Sequence, residues 1–172
     1  DVIIDLDPDV RFHSFTGEYV IDYASLRLLR ERHPEGAVPY LEDVKTRTCR
    51  EIVIHYTENG VIFPTDFDRL LQGAIEKGTY LYLLITISVS RISHANSLMY
   101  IVPNNTIERF EPHGSQEFVG GYNDDLLDTQ IHDMFSQYLK ELGIGRPEYL
   151  RPKDYQPVFG YQSIDLLEYE SR

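Results

Sequence analysis

The sequence predicts an α+β fold in which an antiparallel β-sheet is flanked by helices, and three observations predict it. Thr79 to Val89 is nearly unbroken in apolar and β-prone residues, the pattern of a central strand covered on both faces. Two further β-prone segments follow, His94 to Val102 and Thr106 to Glu111, parted only by the turn Pro103-Asn104-Asn105, which is short enough to force an antiparallel return. Helical periodicity brackets these strands. Phe67, Leu70, Leu71, Ala74 and Ile75 form an apolar stripe before them, and Leu127, Ile131, Met134, Phe135, Tyr138 and Leu142 form one after.

The remaining elements follow in chain order. The acidic run Asp5-Leu6-Asp7-Pro8-Asp9 lacks the Gly and the terminal Glu of a calcium loop and reads as a solvated turn. Asp22 to His33 has helical spacing, with Asp22 at its start, Arg27, Arg30 and Arg32 toward its end, and Pro34 and Gly36 to stop it. Glu51 to Tyr56 reads as a strand. Asn59-Gly60 predicts a type I′ hairpin turn, with Val61 to Phe63 returning. Thr65 is placed to cap the next helix, with Asp68 as its capping-box partner, and Gly78 closes that helix. Asp125 to Leu142 is a long amphipathic helix ended by Gly143 and Gly145. Pro147 to Tyr161, rich in Pro and Tyr, is expected to wrap the surface before a last helical segment from Ser163.

At 172 residues and 20.0 kDa the chain has the size of one domain, 1–172. Residues 1–78 form an accessory N-terminal part and 79–172 the core. Apolar residues at 42% and charged residues at 26% describe a folded composition, and no apolar run is long enough to span a bilayer. Sixteen basic residues against 28 acidic ones leave a net charge of −12, which disfavours nucleic acid as a partner. Cys49 is the single cysteine, so no internal disulfide can form. The chain starts at Asp1 without Met and stops at Arg172 within a helix-like segment, so a trimmed chain and a C-terminally incomplete core are expected.

The hairpin carries the chemistry. With an even-numbered loop, Val102 to Asn105, paired residues have numbers that sum to an odd value. Glu111 then lies opposite Asn96 and diagonal to His94 on one face. A diagonal pair is within reach of long side chains, so a carboxylate can fix an imidazole tautomer. By spacing alone, such a pair is more often a surface contact than a catalytic dyad. A papain-like role for Cys49 is disfavoured, because Thr48-Cys49-Arg50 leads into a predicted strand and opens no helix. Only His94, Glu111 and His113 could converge on a metal, and neither a metal nor another cofactor is expected. Asp128 and His132, four residues apart, read as a helix-surface pair. Tyr100, Tyr122, Tyr149, Tyr155 and Tyr161 serve packing or an interface.

His94-Ala95-Asn96, the strand and turn after it, and Ile107-Glu108-Arg109-Phe110-Glu111-Pro112-His113-Gly114 resemble proteins of large DNA viruses related to Ulp/SENP-type and adenain-type cysteine peptidases. The resemblance spans roughly residues 79 to 172. It implies a papain-like or Ulp-like core with His94 as general base, Glu111 as orienting acid and Gln162, in Phe159-Gly160-Tyr161-Gln162, as oxyanion-hole residue. The nucleophilic Cys of that pattern is missing between Gln162 and Arg172. The implied function is therefore a catalytically inactive, peptidase-like structural or interaction protein of a virion or minor capsid shell. The alternative is a thiol peptidase or deubiquitinase whose Cys lies beyond residue 172. Capsid proteins, or a ubiquitin-like or peptide substrate, are the implied partners, and the virion or the host cytoplasm is the implied location.

Overall fold

The computed structural model describes residues 52–78, 80–115 and 122–160. The helix expected over Asp22 to His33, Cys49, Gln162 and the segment from Ser163 lie outside them.

Strand β1 (Val53–Thr57) turns into β2 (Gly60–Ile62), and helix α1 (Phe67–Lys77) follows. The hairpin expected at Asn59-Gly60 forms with a different turn. Thr57 pairs with Gly60 across Glu58 and Asn59, and Gly60 alone takes positive φ, at 99°. A type I′ turn would need positive φ at both central residues, so the permissive glycine here sits at the end of the turn. Helix α1 starts one residue later than expected. Its N-cap is Asp66, whose side chain pairs with Arg69 instead of capping, so the Thr65/Asp68 capping box does not form. Gly78 ends the helix in the left-handed conformation, its N–H donating to the carbonyls of Ala74 and Ile75.

Strands β3 (Tyr80–Val89), β4 (Ile92–Ile101) and β5 (Thr106–Phe110) make the expected antiparallel meander. Helix α2 (Asp124–Glu141) is followed by the short strand β6 (Glu148–Leu150) and one helical turn, α3 (Pro152–Tyr155). The main sheet is expected to be antiparallel, and its centre is, but the six strands, in the order β2-β1-β3-β4-β5-β6, form a mixed sheet, because β1 runs parallel to β3 and β5 parallel to β6. Each parallel pair is joined by a crossover that contains a helix, as parallel neighbours require. Local patterning reveals such crossovers poorly, since the partner strands are distant in sequence.

One face of β3 is sealed: Leu81, Leu83, Ile85 and Ile87 have no exposure. Its other face, with Tyr82, Leu84 and Thr86, is only half-buried, so the near-continuous apolar run does not produce a strand equally covered on both faces. Both helices bury their stripes in the same core, meeting at Phe63, Phe67, Phe135 and Tyr138, whose rings pack edge-on or tilted at 4.8–6.3 Å. Leu142 was expected on the buried stripe of α2. It stands past the helix end and is exposed, while Leu139 takes the buried position.

Candidate functional site: a buried polar network on the core face of the hairpin

Ile101 pairs with Thr106 and Ser97 with Phe110, so the β4–β5 loop runs from Val102 to Asn105 and the register is the one the parity argument gives. Asn105 completes the turn with positive φ, 49°, which Asn tolerates, and its side chain ties Tyr100 to the Gly145 carbonyl. Along the core face of this hairpin the chemistry changes. Leu98, Tyr100 and Ile107 are apolar, whereas His94, Asn96, Arg109 and Glu111, farther from the turn, are polar.

These polar groups satisfy one another. His94 Nε2 lies 2.7 Å from Glu111 Oε1, with both side chains more than nine-tenths buried. Asn96 Nδ2 donates to Glu111 Oε2 at 2.7 Å, Tyr122 Oη donates to the same oxygen at 2.9 Å, and the His113 backbone N–H donates to Oε1 at 3.0 Å. The Asn96 side-chain oxygen accepts from Arg109. Arg109 in turn makes a two-pronged contact to Asp128 of α2, at 2.6 and 3.0 Å, and Asp128 also accepts from Tyr149 Oη at 2.8 Å. Asp128 is therefore no surface partner of His132. It is buried, and His132 instead reaches the Pro147 carbonyl and Arg146.

The electrostatics follow from burial and pairing. Burial pushes the Glu111 carboxyl up, but hydrogen bonds from His94, the His113 backbone and Asn96 outweigh it, and the group is held below its ordinary value. Burial lowers the His113 imidazole, with nearby His94 adding to that and Glu111 opposing it. Asp124, half-buried close to Asp128 and Glu111, is pushed up, first by burial. Tyr122 and Tyr149 are raised far out of the titrating range by burial and by the carboxylates they contact.

Gln156, within the stretch expected to wrap the surface, grips the backbone of Glu111: its Oε1 accepts from the Glu111 N–H at 2.8 Å and its Nε2 donates to the Glu111 carbonyl at 2.9 Å. Tyr155 Oη donates to the Arg109 carbonyl. Beside them, Gly160 N–H donates to His113 O and Ser115 N–H to Pro157 O, closing two backbone segments on each other. A Cβ on Gly160 would fall within contact distance of Pro112 O and Gly114 N, so only glycine fits there. Gly160→Ala is expected to cost about 1–3 kcal/mol. It should also speed proteolysis at residues 111–115, and a melting temperature equal to that of the parent chain would show that this clasp carries no load.

The network borders a cavity of about 340 Å³ lined among others by Glu111, Tyr122, Asp124, Arg151 and Lys153. His94 and Glu111 are thus brought together and Gln162 lies outside the described residues; the sequence assigns no role to Arg109 or Gln156, and it reads Asp128 as a helix-surface partner and Tyr122 as a packing or interface residue. Charged residues at core-facing strand positions, such as Arg109 two residues after Ile107, were the available signal.

Comparison with known proteins finds similarity to a protein of Acanthamoeba polyphaga mimivirus that is named as an ankyrin repeat protein, at 31% identity over 190 aligned positions. The alignment covers 94% of this chain and 24% of that protein, so the chain spans about a quarter of its relative's length. No family model and no solved structure matches. This corrects the family expectation: the similarity found is to an ankyrin repeat protein, not to a Ulp/SENP- or adenain-type peptidase. The viral origin expected from the sequence is supported by it. Ankyrin repeats are built of helix pairs. Among the described residues α1 and α2 are separated by three strands, and no helix there is long and apolar enough to cross a membrane.

Proposed function

We propose that this chain is a protein-interaction module of a large DNA virus, docking its partner on the rim formed by Val158 and Phe159. The observation that carries this reading is the exposure of those two side chains, 58% and 53%, on a segment whose backbone is clasped to His113 and Ser115. Large apolar side chains held out in water on a pinned backbone lose little entropy when a partner covers them. The rim adjoins the charged cavity through Gly114, so an apolar anchor and a polar surround stand side by side, as in protein interfaces. The relative's name adds support, because ankyrin arrays are binding scaffolds. In this reading His94 and Glu111 hold the hairpin together and do not turn over a substrate. Capsid components and ubiquitin-like proteins are the partners to try first, and the virion is the place to look.

The full-length protein carrying a photo-crosslinking residue at position 159 should capture a discrete protein in infected cells and in purified particles. That protein, once purified, should bind this chain saturably and lose most of its affinity to Val158→Asp with Phe159→Asp. Binding untouched by the double substitution overturns the assignment of the rim. Peptide aldehyde and ubiquitin-like vinyl sulfone probes should leave the chain unlabelled, and rapid, His94-dependent modification of Cys49 would overturn the non-catalytic reading.

A further inference from the structure

The geometry points to a divalent transition-metal site formed by His94, Glu111 and His113, with zinc as the ion it suits. One ligand atom from each of these residues lies within 4.8 Å of the others, and the two imidazole rings are 5.2 Å apart, centre to centre. The carboxylate is oriented for ligation. Its Oε2 is anchored by Asn96 and Tyr122, Oε1 accepts from the His113 N–H, and His94 Nε2 faces both oxygens, 2.7 Å from Oε1 and 3.0 Å from Oε2. Asn96 is itself fixed by Arg109, and Arg109 by Asp128, so the ligating group sits on a chain of outer contacts of the kind that orients metal ligands.

Two imidazoles with one carboxylate match the ligand preferences of Zn²⁺ and Co²⁺, whereas Ca²⁺ and Mg²⁺ favour sets made of oxygen alone. The ion would take the place of the proton between His94 Nε2 and Glu111 Oε1. With metal–ligand bonds near 2.0–2.2 Å, tetrahedral ligands stand about 3.3 Å apart, so the present 2.7 Å contact opens by roughly half an ångström. Solvent supplies the remaining position. The ion would tie the segment 111–115 to β4, and this proposal stands apart from the docking rim.

The test uses the whole chain, stripped with a chelator and titrated with Zn²⁺ alone and with Co²⁺ alone. One equivalent should bind, Co²⁺ should show the intense visible bands of a four-coordinate site, and Zn²⁺ should raise the melting temperature. His113→Ala, chosen because His113 is only half-buried, should weaken binding about tenfold or more while the metal-free melting temperature stays near that of the parent. His132→Ala, half-buried on α2 against Tyr149 and away from the three ligands, should bind as the parent does. Absence of saturable one-to-one binding, or equal affinity in His113→Ala, overturns the site. Val158→Asp with Phe159→Asp should bind Zn²⁺ unchanged, so failure of the docking rim and failure of the metal site are told apart.

Discussion

Arg109→Met should destabilise the protein by about 3–5 kcal/mol, a large part of the stability of any domain of this size. Arg109 is 2% exposed and is among the largest fully buried side chains of the described residues. Its guanidinium is a protonated cation at any accessible pH: burial opposes the charge, but the hydrogen bonds and charge of Asp128 more than restore it. Met fills much the same volume, so packing is nearly conserved and the loss is electrostatic. The variant leaves Asp128 buried with the Tyr149 hydroxyl still donating to it, and removes the donor to Asn96 Oδ1. A buried carboxylate stripped of its cation is the costly outcome, while removal of both charges is far milder. Urea denaturation of Arg109→Met, Asp128→Leu and the double variant measures this. The double variant should recover much of the loss, through a coupling of at least about 2 kcal/mol. Arg109→Lys should not rescue, since an ammonium cannot span both carboxylate oxygens. Additive losses across the cycle would show that Arg109 and Asp128 do not act as a pair.

Those same two residues explain where sequence reasoning reached its limit. The β3–β4–β5 meander was legible because runs of apolar and β-prone residues and a short polar turn are local signals, and the loop from Val102 to Asn105 then fixed the register by arithmetic. The meeting of His94 with Glu111 followed from that register. Helix α2 was legible from its 3.6-residue period. Asp128 also lies on that buried face, between Leu127 and Ile131, but an acid invites assignment to the solvent side unless its partner is known. The partner is Arg109, on another element, and nothing local announces it. Parallel pairing was hidden for the same reason, since β1 and β5 find β3 and β6 only after a helical crossover. The family expectation failed differently. His94-Ala95-Asn96 and the Glu111 segment build a His–carboxylate pair, and such pairs arise wherever a hairpin buries both groups, so the motif was less specific to one family than its residues suggested.

Glu111 is the second position where a single change should be severe. Glu111→Ala removes the acceptor shared by His94, Asn96, Tyr122 and the His113 backbone, and a loss of about 3 kcal/mol or more is expected. Glu111→Gln keeps the shape but offers one accepting oxygen where two are used, and turns an NH₂ toward groups that donate, so it should lose about half as much. The contrast between parent and Glu111→Gln also carries a pH signature. The folded-state value of Glu111 is depressed below 4.5, its ordinary value. Between the two values the unfolded chain holds the proton and the folded chain does not. The carboxylate's contribution is therefore complete above about pH 4.5 and drains away as the pH falls through the folded value. Asp124, with its raised value, works in the opposite sense and gains as the pH falls, more so in the parent, where the Glu111 charge helps to raise it. The difference in melting temperature between parent and Glu111→Gln, measured with a chelator present, should be constant above the range in which His113 titrates and shrink in acid, where Glu111 is itself neutral. A difference that stayed flat down to the acid limit would mean that the carboxylate's charge contributes nothing to the fold, and that His94 and Asn96 need only an acceptor at that place.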